Sequence, residues 1–247
     1  MYKNKLAIVL SALFVLSCAG TAQGSSGPGM ELMEPGVSRH DQASIRKGAE
    51  HFAQYCSGCH SVEYLRYQRV AEDVGKGMAW ARQELMHGEK EPHAPILAAM
   101  DPQDGEEWFN IAPPDLSLTA REKSEAWIYT YLNTFYKDES AEVGFNNMVQ
   151  PGTSMPHVLA SLQGTPRAVR DDHGEVVGTE VPEGERGALS EAEYEAFTAD
   201  LTAFLSYASQ PIAAKRERIG IWVLLFLVVF TTVFYLLYKE YFRGVKK

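Results

Sequence analysis

Cysteine is scarce: three residues in 247, at positions 18, 56 and 59. That excludes a disulfide-stapled scaffold, because Cys56 and Cys59 sit in one pentad and Cys18 lies in an N-terminal apolar run. There is no second Cys/His cluster, so a closed structural zinc site has no ligands to draw on. No βαβ alternation surrounds the Cys pair, which removes the usual setting of a thioredoxin-type dithiol. Internal repeats and a convincing strand series are also absent. Positive charge is short: 23 Lys+Arg face 32 Asp+Glu, a formal −9. Residues 23–214 alone carry 14 basic and 30 acidic side chains, or −16. That sign excludes nucleic acid as a partner. It suits a basic protein partner, although such a charge serves solubility equally well.

Long hydrophobic runs are limited to the two ends. Met1-Tyr2-Lys3-Asn4-Lys5 precedes thirteen apolar or small residues, Leu6 to Cys18. A basic start, a short apolar stretch and small residues at Gly20-Thr21-Ala22 read as a signal peptide over residues 1–22. Thirteen residues are too few to span about 30 Å of hydrocarbon. Val15-Leu16-Ser17-Cys18 also resembles a lipobox, which leaves the fate of Cys18 open. The second run, Ile219 to Tyr238, is twenty residues without a charge and is long enough to cross a bilayer. Lys215, Arg216 and Arg218 precede it, and Lys239, Arg243, Lys246 and Lys247 follow. Trp222, Tyr235, Tyr238, Tyr241 and Phe242 provide interfacial aromatics. Export of the N-terminus sets the topology: a single-pass protein of the bacterial inner membrane, with a periplasmic body at 23–210 and an anchor with a short cytoplasmic tail at 211–247.

Between the ends, three helices are expected. One starts at Asp41, where Ile45, Ala49, Phe52 and Tyr55 share a face. A second covers 120–136, with Trp127, Ile128, Tyr131, Leu132 and Phe135 aligned. A third opens at Ser190 with Glu193 completing a capping box, and ends at Pro211. Loops rich in proline and glycine separate them, and residues 164–187 read as a hairpin or a flap. Few helices joined by long loops need a large apolar cofactor at the centre of the core. The fold class is therefore mainly α, with long loop insertions plus one C-terminal transmembrane helix.

Cys56-Ser57-Gly58-Cys59-His60 is the attachment signature for haem c. Two thiols three residues apart reach the two vinyl groups of one porphyrin edge, and the adjacent imidazole approaches the iron from one face. Cys56 and Cys59 are the thioether candidates for one covalent haem, and His60 is the proximal ligand. The competing chemistry is an anchored thiol oxidoreductase. A sixth ligand must come from the opposite face. Met148, Met155 and His157 share one distant loop, while Met78, Met86 and Met100 lie nearer the motif. Met155, in the turn-rich frame Gly152-Thr153-Ser154-Met155-Pro156, is the preferred candidate. His60/Met155 ligation would fill both axial positions and raise the potential. The iron would then carry electrons, with no independent catalytic site.

The order of motifs resembles the cytochrome c1 family, the membrane-anchored haem subunits of ubiquinol–cytochrome c reductase (cytochrome bc1) complexes. The resemblance is carried by Cys56–His60 with Leu65-Arg66-Tyr67, then Ala112-Pro113-Pro114-Asp115-Leu116-Ser117 and Arg121. It continues through Phe145-Asn146-Asn147, Pro151-Gly152 and Met155-Pro156, to Thr202-Ala203-Phe204-Leu205 and the single anchor. It implies a class I cytochrome c-like haem domain with long loop insertions plus one C-terminal transmembrane helix, that Pro113 and Pro114 wall the haem, that Arg121 meets a propionate, and that Trp127 stands where the family often has a pocket tyrosine. Arg121 could equally be a solvated arginine, and the two prolines a helix-entry loop. The implied partners are cytochrome b, a Rieske iron–sulfur protein, a cytochrome c acceptor and the lipid bilayer. A free membrane-tethered cytochrome feeding a terminal oxidase is the alternative.

Overall fold

The computed structural model describes residues 30–88 and 90–244, so the signal-peptide reading, its cleavage point and Cys18 lie outside the described residues. Helix α1 spans Gln42–Tyr55 and starts where expected, because the Asp41 carboxylate accepts from the Ala43 and Ser44 amides. Its face of Ile45, Ala49 and Phe52 is buried. Strand β1 (Val62–Arg66), helices α2 (Tyr67–Asp73) and α3 (Met78–Glu84), strand β2 (Pro95–Ile96) and helix α4 (Pro102–Phe109) follow. Next come α5 (Thr119–Glu122), α6 (Glu125–Asn133), β3 (Phe135–Lys137), β4 (Phe145–Asn147) and α7 (Ala160–Gln163). A hairpin of β5 (Arg167–Arg170) and β6 (Val176–Glu180) leads to α8 (Glu191–Ser209) and α9 (Ala213–Tyr241).

Helices α1 and α8 cross at the centre of the core. Gly48 makes the crossing possible: a Cβ there would stand 1.9 Å from the Asp200 carbonyl oxygen. Phe52 and Phe204 pack across the crossing with ring centroids 5.4 Å apart. Burying each such side chain is worth about 1.5–3 kcal/mol. Helix α8 begins at the Ser190/Glu193 capping box. From Phe197 to Ser209 every residue of α8 is buried, so it runs as an enclosed helix and not as a one-faced one. Tyr207 pins its far end by donating to Asp73 at 2.8 Å, where Arg69 also pairs.

Two local expectations change. The helix over 120–136 is two helices, α5 and α6, broken at Ser124, whose φ of 97° no helix admits. The Ser124 hydroxyl caps α6 by accepting from the Trp127 amide. Phe135, assigned by its spacing to that helix, lies instead in β3. Three two-stranded antiparallel ladders also occur among the described residues: β1–β2, β3–β4 and β5–β6. Each is short and closed mostly by long-range or loop contacts, so none carries the alternation that marks a strand in sequence. The third resolves residues 164–187 as a hairpin.

Beyond Gln210 and Pro211, α9 runs 29 residues, about 43 Å at 1.5 Å per residue. It is long and apolar enough to cross a membrane, and no part of its apolar window is covered by the other described residues.

Candidate haem site

The pentad Cys56–His60 is one tight turn that prolongs α1. The Cys56 and Ser57 amides both donate to the Phe52 carbonyl, and the Cys59 and His60 amides donate back to the Cys56 carbonyl at 3.0 and 2.8 Å. Residues after the turn are stitched to the Pro113–Ser117 block. Leu116 N–H donates to the Ser61 carbonyl, Glu63 N–H to the Asp115 carboxylate, and Tyr64 N–H to the Ser117 hydroxyl. Ser117 is wholly buried, which explains why a hydroxyl is spent there. This stitching brings the Pro114 carbonyl within 2.8 Å of His60 Nδ1. A carbonyl only accepts, so the proton sits on Nδ1 and the Nε2 lone pair is left for a metal.

Another part of the cleft wall comes from the segment after β4. Asn146 Oδ1 accepts from the Asn147 and Gly152 amides, and Asn147 Oδ1 accepts from Val149 and Gln150. Gly152 takes a φ of 77°, which only glycine adopts without strain, and the chain turns back toward the cleft. Met155 arrives there beside Ser154, Pro156 and Val158. The result is one cleft lined by Cys56, Cys59, His60, Pro113, Pro114 and Met155, with Tyr55, Phe109 and Ile111 completing an apolar wall. Its volume is about 90 Å³.

Burial pushes the Cys56 thiol up to about 12, with Cys59 beside it adding to the shift, and burial raises Cys59 as well. Thiols that perform disulfide exchange are shifted the other way. No disulfide joins the pair. Burial also lowers His60, against smaller upward pulls from Pro114 and Asp115, so its ring is neutral, the form that binds metal. Two thiols, a neutral imidazole with a free Nε2, a thioether and an apolar wall are the donor set a haem needs.

Other expected residues fall elsewhere. Met148 faces a separate cavity of about 480 Å³, shared with Met30, Met33 and residues of β6 and α8. His157 is buried, stacks on Phe135 with centroids 5.0 Å apart, and its Nε2 has no partner among the described residues. Burial holds its pKa down at about 4. Arg121 is exposed near the end of α5 and does not line the cleft. Trp127 is half-buried and stacks on Tyr131, one layer behind the cleft wall. Sequence reasoning missed Phe109, Ile111 and Val158, whose only signal is apolar character next to loops. It also missed the 2.8 Å hydrogen bond between Tyr131 and Thr153, whose hydroxyl oxygen also accepts from the Met155 amide.

A mainly helical domain, a Cys-x-x-Cys-His turn sharing an apolar cleft with a methionine, and, among the described residues, one membrane-length helix together define an anchored cytochrome. The chain belongs to the Cytochrome C1 family, whose profile matches residues 33–245. It is 42% identical over 242 residues to cytochrome c1 of Allochromatium vinosum, covering 96% of this chain and 98% of that one. It is 37% identical to the ammonia monooxygenase gamma subunit of Nitrosomonas europaea, covering 99% of both chains. It is 27% identical to cytochrome c1 of Rhodospirillum rubrum, covering 96% and 97%. Family membership makes it a haem-binding electron-transport protein.

Proposed function

We propose that the chain is the electron-transfer subunit of a quinol-oxidising respiratory complex. It receives electrons from a Rieske iron–sulfur protein beside a cytochrome b, and delivers them to a cytochrome c. Cys56 and Cys59 would hold one haem c covalently, and His60 and Met155 would supply the nitrogen and sulfur ligands to its iron. When bound, the haem supplies a one-electron iron couple. The chain's own residues do the rest. The Pro114 carbonyl fixes the His60 tautomer, the apolar wall excludes water, and the loop before Met155 presents its thioether to the cleft. The body lies in the periplasm, with the tail after Tyr241 in the cytoplasm. The basic and apolar N-terminal segment and the membrane-length α9 support this topology.

The observation that carries the reading is the convergence of Cys56, Cys59, His60 and Met155 on one cleft. The full-length similarity to cytochrome c1 of Allochromatium vinosum supports the assignment to a quinol-oxidising complex. A second reading, as a subunit of a monooxygenase, draws on the likeness to the Nitrosomonas europaea protein. Purification from native membranes in mild detergent separates the two. Co-purification of a b-haem protein and an iron–sulfur protein, with quinol-driven reduction of cytochrome c, is the expected result. A haem-bearing chain that purifies without them contradicts it.

A further inference from the structure

Tyr131 is fixed from several directions. Its ring stacks on Trp127 at 5.1 Å with 9° between planes, and meets Phe135 edge-on at 5.0 Å. Its carbonyl accepts from Asn147 Nδ2 at 2.8 Å. From this rigid seat the phenol shares a 2.8 Å hydrogen bond with the Thr153 hydroxyl. Thr153 is itself buried, and its oxygen also accepts from the Met155 amide at 3.4 Å. Among the described residues, these are the last side-chain hydrogen bonds on the loop before the Met155 thioether. Burial raises the Tyr131 phenol above its ordinary value, so it stays protonated across the physiological range.

We infer that Tyr131 and Thr153 form a positioning clamp that holds Met155 in the cleft and keeps the sixth coordination position closed. The inference rests on the reading of Met155 as the axial ligand. Its physical basis is a difference in loop freedom. Asn146 and Asn147 hold the loop only as far as Gly152, and the clamp restrains the last three residues before the sulfur. Without it, the thioether must offset the ordering of those residues unaided. Losing one neutral hydrogen bond changes a population ratio by about tenfold. Trp127 acts behind the clamp by limiting where the Tyr131 ring can tilt.

The test uses the full-length haem-loaded protein in detergent. Two signals are read: the rate at which carbon monoxide binds the reduced protein, and the far-red absorbance that reports sulfur ligation in the oxidised one. Tyr131→Phe and Thr153→Val should each raise the carbon monoxide rate about tenfold and weaken the far-red signal. The double variant should go no further than Thr153→Val alone, because Thr153→Val already removes the one bond that Tyr131→Phe breaks. Thr153→Ser, which keeps the oxygen, should restore the slow rate. Unchanged rates in both single variants, or effects that multiply in the double, overturn the clamp. Met155→Leu is the control. If it opens the iron and Tyr131→Phe does not, the clamp alone fails. If Met155→Leu leaves both signals intact, the ligand reading itself fails and the clamp with it.

Discussion

Met148 and Met155 are seven residues apart, yet they serve different cavities. Met155→Leu should therefore abolish thioether ligation and open the iron to carbon monoxide, while Met148→Leu should do neither. Visible spectra of both reduced variants under carbon monoxide check this. His51 carries a second residue-level prediction. Its ring stacks on Phe197 at 3.9 Å, and burial lowers its pKa against weaker upward pulls from Asp200 and Glu50. The unfolded chain then binds a proton at higher pH than the folded one. Stability is full above the ordinary histidine pKa of about 6.5, and falls as pH drops through it toward the folded value. His51→Phe keeps the stacking and removes the proton, so the fall in melting temperature between neutral and mildly acidic pH should shrink. At this scale the Cys56–His60 turn and the turn before Met155 were legible as a pair that could share one cleft, because spacing and turn chemistry are local. The clamp was not, because Tyr131 and Thr153 are brought together only by the β3–β4 ladder and the asparagine turn. Arg121 and Trp127 came from resemblance alone, and neither lines the cleft.

Among the elements, the crossing of α1 and α8 decides the architecture. On helix propensity alone, Gly48→Ala should stabilise α1 by about 1 kcal/mol. The Asp200 carbonyl, 1.9 Å from where that methyl would sit, reverses the sign. Overpacking of this kind costs about 1–3 kcal/mol, and here it works against backbone and not a flexible side chain. Gly48→Ala should lower the melting temperature, and a rise would show that the helices are free to separate. The starts of α1 and α8 were readable because a cap is a local signal: Asp41 and Ser190 both accept as expected. The break at Ser124 was not, since a serine with positive φ has the same identity as one inside a helix. The hairpin at 164–187 was half-legible. Its glycines were visible, but its pairing depends on contacts across the chain. Gly164 packs against the backbone of Glu185 and Arg186 so closely that no side chain fits.

On the scale of the whole molecule, charge and anchor dominate. The acidic stretch Asp101–Glu107 runs along α4, whose last residue Phe109 lines the cleft. The stretch Glu180–Glu195 instead borders the separate Met148 cavity. A basic cytochrome c should therefore be steered by the α4 stretch. Its reduction rate should fall as salt shortens the Debye length to about 8 Å at 0.15 M. Neutralising Asp104, Glu106 and Glu107 together should slow association and leave the haem spectrum unchanged, and a rate that is flat in salt would remove steering from the account. A reporter active only in the cytoplasm, fused after Lys247, should function if α9 is oriented as proposed. Net charge and the two apolar runs gave this scale directly, whereas which acidic stretch meets the cleft required the fold.

The claim on which the others depend is that Cys56 and Cys59 hold the haem covalently. Its most direct measurement is the intact mass of the denatured chain, with a haem stain on the same sample. The account predicts a chain heavier by one haem that stains after denaturation, and loses both the added mass and the stain in Cys56→Ala/Cys59→Ala. Recovery of the native chain at its bare polypeptide mass, with haem released into solvent, would contradict it.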